Sequence, residues 1–216
     1  MSERIRILCY GDANTWGFIP ATDHKRFSEE ERWTGILQRM LGEKYEIIEE
    51  GLNSRTLVSI DKRNGREGRS GAEYLLPCLD SHDPLDLVII MLGTNELKTE
   101  YYRNPKEVGQ IFEEVFVNTI LKRKPAYRKV PPKLLIIAPP NITKESEKYI
   151  GGIEKSEKLA EIYENIANRN NCIFQDNSDL VVGEDGVHLS RDGHRILASK
   201  LTMKIKEIYE SKEGQQ

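Results

Sequence analysis

The feature of this sequence that most restricts its fold is a short, almost continuously apolar run at residues 85–92, which reads LDLVIIML. A run of this length and composition is typical of a central strand in a parallel sheet, because such a strand is covered on both of its faces. The run therefore predicts an α/β protein.

Four further strand-like runs alternate with helical patterns along the rest of the chain. The five predicted strands lie at residues 5–10, 45–48, 85–92, 133–138 and 172–174. The predicted helices lie near residues 28–41, 71–81, 105–123, 151–170 and 190–211. Ser28 and Glu31 have the spacing of a capping box and mark the start of the first helix. The alternation predicts a three-layer, doubly wound α/β sandwich around a central, parallel, five-stranded sheet.

Two segments interrupt this alternation. Residues 58–70 are polar and rich in glycine, and residues 139–152 begin Pro-Pro-Asn. Both are predicted loops over the sheet, where α/β enzymes often keep their specificity. The sequence contains no linker, repeat or low-complexity boundary, so we expect residues 1–216 to form a single domain with its own core.

The charge and composition of the chain indicate its cellular location and the partners that it is expected to lack. A formal net charge of -3 and a pI near 5.9 give no electrostatic footprint for nucleic acid. The first strand begins by Ile5, which leaves no room for a signal peptide, and no apolar stretch approaches the roughly 20 residues that span a bilayer. Cys9, Cys78 and Cys172 have apolar neighbours and are interpreted as buried thiols. We therefore expect a cytoplasmic protein without nucleic-acid or membrane partners.

Polar residues that directly follow predicted strands are the candidates for chemistry, because open parallel sheets bind ligands beyond the carboxyl ends of their strands. The first three strands are followed by residues 11–17 (GDANTWG), 50–56 (EGLNSRT) and 93–96 (GTNE). Taken alone, the first string is more typical of a plain turn between strand and helix. Asn95 alone is equally typical of a turn-former that bonds its own backbone.

A fourth candidate lies near the C-terminus, where residues 185–188 read DGVH before the last predicted helix. A carboxylate three residues before a histidine can hold the tautomer and orientation of that imidazole, which is the role of the third member of a catalytic triad. Asp185 and His188 are therefore candidates for such a pair.

Together, and in this order, these strings resemble those of the SGNH (GDSL) hydrolase family, most closely its arylesterase/acyltransferase branch. The resemblance runs essentially end to end and includes ILCYGDANTWGFIP, ERWTGIL, IEEGLNSRT, PLDLVIIMLGTNE and DGVHLS. It implies a flavodoxin-like SGNH hydrolase fold and cofactor-free hydrolysis of small-molecule carboxylic esters. Short-chain acyl esters of alcohols, phenols or sugars are the implied substrates, and acyl transfer to alcohols is an implied side activity. Close relatives imply a homo-oligomer.

The resemblance also implies catalytic roles. The nucleophilic serine is expected at position 13, which is alanine in this chain. His188 is expected to be the general base and later the general acid, oriented by Asp185. The implied oxyanion hole consists of the backbone N–H of Ala13, the N–H of Ser54 and the side-chain amide of Asn95, donors that are worth about 2.7–4 kcal/mol each.

Substrate binding is assigned to Asp12, Trp16 and Phe18. The two aromatic residues follow the nucleophile turn and are expected to shape an apolar pocket, although a place in the core is equally compatible with either. The block usually written Gly-Thr-Asn-Asp ends here in Glu96. This residue is not expected to take part in covalent chemistry, so the departure bears only on the support of the site.

Ala13 is the departure that changes the chemistry. Alanine has no Oγ, so no acyl-enzyme can form at residue 13, and turnover is expected to be nearly abolished. Either the serine of an active enzyme has been replaced deliberately, or the chain is a pseudoenzyme that binds acylated ligands without catalysis. We favour the first, because the other site residues are retained. In a third account, His188 activates water directly and hydrolysis is slow.

The remaining histidines and one basic cluster are set aside. The histidines at 24, 82 and 194 lack the spacing of a metal site, so no metal is expected, and His194 is interpreted as a surface residue. A basic cluster in the 58–70 loop could dock an acidic substrate or partner, but a solvated loop is the favoured interpretation. Its members are Lys62, Arg63, Arg66 and Arg69.

Overall fold

A computed structural model describes residues 4–125 and 130–210 of the chain. Five parallel strands form one sheet in the order β2-β1-β3-β4-β5. Their bounds are Ile5–Gly11 (β1), Tyr45–Gly51 (β2), Leu87–Met91 (β3), Lys133–Ile137 (β4) and Ile173–Gln175 (β5). The predicted five-stranded, parallel, doubly wound sheet is confirmed, and its strand order is that of flavodoxin-like proteins.

Eight α-helices connect or follow the strands in the described part of the chain. They are Ala13–Trp16 (α1), Trp33–Leu41 (α2), Gly71–His82 (α3), Pro105–Ile111 (α4), Asn118–Lys122 (α5), Gly152–Glu157 (α6), Leu159–Arg169 (α7) and Arg191–Glu210 (α8). A π-helical segment, Phe112–Val117, joins α4 to α5. The last residue of the predicted C-terminal helix, 211, lies outside the described residues.

The start of the first long helix differs from the prediction. Ser28 donates its backbone N–H to the Glu31 carboxylate at 3.3 Å, as one half of a capping box would. However, Ser28 begins only a turn, and Arg32 has extended backbone angles (φ -80°, ψ 147°), so α2 begins at Trp33. The capping-box spacing marked a local turn rather than the helix itself.

Alternation of side chains along the central strands divides the core into two layers. On one face, Leu8, Val88 and Ile136 pack with apolar residues of α3, α4, α5 and α7. On the other face, Ile7, Ile89 and their neighbours pack with α2 and α8. Because both faces of β3 are covered, its five residues are all buried, as the apolar run predicted.

His194 is buried, and its interpretation as a surface residue is wrong. It lies on the inner face of α8, three residues before the core residue Leu197, and has no exposed surface. Its Nδ1 accepts the backbone N–H of Trp33 at 3.2 Å. Burial lowers the pKa of the imidazole to about 3, with a smaller effect from Arg32, so the ring is neutral at physiological pH.

Two further expectations concern membrane-spanning helices and the state of the cysteines. No helix within residues 4–125 or 130–210 has the length and apolar character needed to cross a membrane. Cys9 and Cys78 are buried and Cys172 is half-buried, and all three are free thiols.

The strand order also fixes where the site can lie. β1 has β2 on one side and β3 on the other, so the turns that follow these three strands meet at one edge of the sheet. The direction of winding reverses at this point, which is where ligands bind in open α/β sheets.

Candidate active site

A cavity of about 630 Å³ lies at this edge of the sheet. Its wall contains residues from all four strings singled out in the sequence: Ala13, Ser54, Asn95, Asp185 and His188. Phe18 also lines the cavity, and its ring lies 4.4 Å from the His188 ring between centroids. The fold thus brings together residues that are more than 170 positions apart in the chain.

The turn after β1 presents Ala13 to the cavity. Ala13 is the first residue of the single-turn helix α1, which ends at Gly17 in the left-handed conformation (φ 88°). The turn packs closely on the end of β2, since a Cβ at Gly51 would lie 2.2 Å from the backbone nitrogen of Trp16. Only glycine at position 51 leaves room for α1 in this place.

Two backbone N–H groups at the cavity are unused. Among the residues that the structure describes, neither the N–H of Ala13 nor that of Ser54 has an acceptor. The first N–H groups of a helix have no partner within that helix, which accounts for Ala13. Ser54 has a left-handed backbone (φ 64°), a strained conformation of the kind that clusters at functional sites. The side chain of Asn53, next to it, has a buried oxygen without a donor.

Asp12 supports the site from below instead of lining it. Its carboxylate accepts the Asn14 backbone N–H at 3.0 Å and the Asn95 side-chain amide at 3.3 Å. Burial raises the pKa of Asp12, against an opposing effect from the Asn14 N–H. Because both oxygens are used internally, the assignment of Asp12 to substrate binding is replaced by a role in orienting Asn95.

Trp16 likewise does not line the cavity. Its ring lies 6.5 Å from that of Phe18 and 5.1 Å from the Arg26 guanidinium carbon. Of the two aromatic residues that follow the turn, Phe18 is therefore the one that a ligand would meet, and Trp16 supports it.

Asp185 and His188 form a hydrogen-bonded pair. His188 Nδ1 lies 2.7 Å from Asp185 Oδ2, and Asp185 Oδ1 accepts the backbone N–H groups of Val187 and His188, each at 3.0 Å. Partial burial works to raise the pKa of Asp185, but the hydrogen bonds and charge of His188 outweigh it and hold the pKa at about 2. The carboxylate is therefore ionised at neutral pH and fixes the orientation of the imidazole.

Asn14 ties the first turn to the histidine loop, a contact that the sequence analysis missed. Its side-chain nitrogen donates to the Val187 carbonyl at 3.3 Å, and its oxygen accepts the Leu189 N–H at 2.7 Å. The Trp33 indole donates to the Asn14 carbonyl at 3.1 Å. Its position directly after residue 13 was the signal available in the sequence.

Glu96 anchors the 58–70 loop beneath the cavity. It is completely buried, and its carboxylate accepts the Leu57 backbone N–H at 2.9 Å and a short hydrogen bond from the Ser59 hydroxyl. Arg103 approaches it to 3.8 Å. Glu96 therefore supports the start of the loop.

Several basic side chains line the cavity. Arg63 and Arg66 of the 58–70 loop are in the wall. Arg63 is exposed and Arg66 is half-buried, so these two residues are in contact with solvent and also accessible to a ligand in the cavity. Lys62 and Arg69 are not in the wall. Lys98, which the sequence analysis did not single out, also lines the cavity and is only 3% exposed.

One group of side chains elsewhere has the donor atoms of a metal site. Glu50, Cys78 and His82 place one donor atom each within 4.8 Å of one another. His82 Nε2 already lies 2.8 Å from the Glu50 carboxylate, and burial raises the pKa of the Cys78 thiol to about 12. The group is thus engaged in its own contacts, away from the cavity.

Comparisons with known proteins agree with this geometry. The model of the family described as GDSL-like Lipase/Acylhydrolase matches residues 9–196. No match was found among curated protein sequences.

Solved structures match over nearly the whole chain. Est24, a carbohydrate acetylesterase from Sinorhizobium meliloti, is 34% identical, with a TM-score of 0.87 over 96% of this chain and 100% of that chain. The native aryl esterase of M. smegmatis is 35% identical, with a TM-score of 0.85 over 94% of this chain and 98% of that chain.

Proposed function

Because the chain belongs to the GDSL-like lipase/acylhydrolase family, we propose that its cavity is the active site of a serine carboxylic-ester hydrolase in which Ala13 occupies the nucleophile position. The observation that carries the proposal is the Asp185–His188 pair, which shares a cavity with Ala13 and with two unused backbone N–H groups. A basic imidazole and free donors around one small residue are what acyl transfer requires.

With serine at position 13, the reaction follows from these groups. His188, held at Nδ1 by Asp185, takes the proton of the serine hydroxyl through Nε2 as the oxygen attacks the ester carbonyl. The N–H groups of residue 13 and Ser54 and the amide of Asn95 bind the oxyanion. Collapse expels the alcohol, which receives the proton from His188. Water, deprotonated by the same imidazole, then releases the acid and restores the serine.

With alanine at position 13, the covalent route is closed but the binding groups remain. The backbone N–H of residue 13 does not depend on the side chain, so the oxyanion hole is retained. In subtilisin, loss of the triad serine costs about 10⁶ in kcat, and the remaining groups keep roughly 10³–10⁴ over water. We expect this chain to bind esters and to hydrolyse them very slowly, with His188 acting on water directly.

Short acyl esters are the proposed substrates. Phe18 beside His188 gives the cavity one apolar wall, and Asn53 is a polar residue of the same wall. Support comes from the carbohydrate acetylesterase and the aryl esterase among the matched structures. Acyl transfer to alcohols, a cytoplasmic location and a homo-oligomer remain part of the proposal, and a 24.8 kDa particle in light scattering would contradict the last of these.

Ala13 itself favours a second candidate, a non-catalytic protein that binds acylated ligands through the same cavity. The two candidates differ in whether the catalytic machinery around residue 13 is functional. In the first, a hydroxyl at that position is sufficient for turnover. In the second, it is not.

The test is to compare the chain with its Ala13→Ser variant on p-nitrophenyl acetate at neutral pH. We expect the variant to be faster by several orders of magnitude, and the double variant Ala13→Ser/His188→Ala to lose this gain. Equal inactivity of the chain and Ala13→Ser, with both proteins folded, would contradict the hydrolase and favour the binding protein. A gain that survives loss of His188 would contradict the mechanism.

A further inference from the structure

Lys98 is a buried cation that lies at the cavity without a counterion. It follows the turn after β3 and is 3% exposed, and the cavity forms part of its surroundings. Within residues 4–125 and 130–210, its ammonium makes no hydrogen bond or ion pair, and its contact with the Tyr101 ring is a long one, 6.0 Å from Nζ to the ring centroid. Burying an ammonium group without a partner is costly, so a partner is expected to come from the ligand.

The carboxylates around Lys98 are engaged elsewhere or exposed. Asp61 is bound by the guanidinium of Arg63, with Nε at 2.8 Å and a second, shorter contact. Glu96 is taken up by Leu57 and Ser59, and Glu100 is exposed. Burial lowers the pKa of Lys98 to about 8, with Arg63 adding to the effect, so the ammonium still carries most of its charge at neutral pH.

The charged residues that line the cavity are mostly basic, like Lys98. Arg66 and Lys148 line it together with Lys98. Arg63 also lines it, but Asp61 offsets its charge, and it donates to the Ser54 hydroxyl at 3.3 Å. Among the described residues, the wall has two acidic members. Glu147 is exposed, and the carboxylate of Asp185 is bound by His188 and by backbone N–H groups. A ligand in the cavity thus meets an excess of positive charge beside the oxyanion turn.

We propose that the cavity selects esters that carry a negatively charged group, with a ligand carboxylate bound by Lys98 and supported by Arg63. The inference rests on the proposed function and specifies its substrate class. A carboxylate would give the ammonium the charge-assisted hydrogen bond that the protein withholds. Hydrogen bonds to charged groups correspond to a gain in affinity of about tenfold or more.

The chain with alanine at position 13 allows a direct test, because an ester remains intact during an equilibrium titration. The probes are 4-acetoxybenzoate and its neutral isostere 4-acetoxybenzamide, titrated calorimetrically at pH 7. We expect the acid to bind at least about tenfold more tightly than the amide. In Lys98→Met this preference should disappear while the affinity for the amide is unchanged, which also shows that the variant is folded.

The matched control is Lys62→Met. Lys62 is an exposed cation of the 58–70 loop outside the cavity wall, so its loss makes the same change in net charge and should keep the preference. Equal binding of acid and amide by the unaltered chain would overturn the inference, as would a preference that survives in Lys98→Met. If neither probe binds, the proposed ester site is itself contradicted, which the Ala13→Ser assay checks independently.

If Lys98→Met also fails to bind 4-acetoxybenzamide, a pH titration of the unaltered chain tests the role of Lys98 instead. The groups that act on Lys98 are Arg63, Asp61, Glu100 and Lys148, and burial raises the pKa of the neighbouring Tyr101 to about 12. As pH rises from 7 to 9, Lys98 loses its proton, and the ratio of acid to amide affinity should fall towards one. A constant ratio over this range would overturn the inference.

Discussion

The side-chain oxygen of Asn14 accepts a hydrogen bond from the backbone N–H of Leu189 at 2.7 Å. The same side chain donates to the carbonyl of Val187, so Asn14 holds the backbone on both sides of His188. The turn that carries residue 13 and the loop that carries the proposed base are therefore fixed to each other directly. This direct link adds to the longer connection through the sheet.

Removing this link should impair catalysis more than binding. In the Ala13→Ser background, we expect Asn14→Ala to lower kcat by about 10- to 100-fold with a smaller change in KM, because the base is no longer fixed relative to the nucleophile. Steady-state kinetics on p-nitrophenyl acetate measure both constants. Asn64→Ala, at an exposed position of the 58–70 loop, is the matched control and should change neither. An Asn14→Ala variant with unchanged kcat would contradict the positioning role.

The carboxylate of Asp185 can be tested with a nearly isosteric change. In Asp185→Asn, the amide oxygen can still accept the N–H groups of Val187 and His188, while its NH₂ group faces His188 Nδ1. We expect kcat in the Ala13→Ser background to fall by about 10³–10⁴-fold, as in other triads with the wrong tautomer. Asp179→Asn, at an exposed acid outside the cavity, should be silent. A small effect of Asp185→Asn would show that the pair is not catalytic.

His194 should make the protein sensitive to acid. Its pKa is about 3 in the folded state against 6.5 for the free group, so below pH 6.5 the unfolded chain takes up a proton that the folded chain does not. The stability that the neutral ring provides is complete above this pH and is lost as pH falls towards 3.

The size of this effect can be measured with a variant that does not titrate. Between pH 7 and pH 5 the contribution of His194 to the free energy of unfolding should fall by about 2 kcal/mol. His194→Asn retains an acceptor for the Trp33 N–H and should show a correspondingly smaller loss. Urea denaturation at the two pH values checks this, and equal losses in the two proteins would show that His194 is not the group responsible.

Glu96 should contribute mainly to stability. Glu96→Ala leaves the buried Leu57 N–H without an acceptor, and we expect the free energy of unfolding to fall by about 2–4 kcal/mol. Glu96→Asp, which restores the residue usual in the family block, shortens the side chain by one methylene and should cost about 1–2 kcal/mol. Chemical denaturation measures both, and Glu100→Ala at an exposed position should have no effect. An unchanged stability of Glu96→Ala would contradict the anchoring role.

The fold was predictable wherever side chains repeat with a regular period. The apolar runs at β1, β3 and β4 are long enough to identify buried strands, and their order with the helices leaves few arrangements of the sheet. The start of α2 was predicted wrongly because a capping-box bond also forms in an isolated turn, as at Ser28. The burial of His194 was missed because its hydrogen-bond partner, the backbone N–H of Trp33, is 161 residues away in the chain, and the local sequence of α8 does not reveal it.

The site was predictable only where a local string carries it. The strings around Ala13, Asn95 and His188 are contiguous, so the sequence alone could suggest them. The place of Arg63 in the cavity wall was not predictable, since it depends on how the 58–70 loop folds over the sheet. Lys98 follows the turn after β3, and no local string marks it as a residue of the wall. Asp12 was assigned to the ligand because its internal partner, Asn95, lies 83 residues away in the chain.

The bonds from Asn14 to Val187 and Leu189 join residues 173 and 175 positions apart. A ribosome that makes this chain from its N-terminus therefore releases the turn of residue 13 long before the loop of His188 exists. The growing polypeptide therefore contains the residues of the proposed oxyanion hole from Asn95 onward, but it lacks the proposed base until His188 is added. Even with serine restored at position 13, a chain whose synthesis stops before His188 would lack the proposed base and should be chemically silent, so activity would also report that translation has reached the loop before α8.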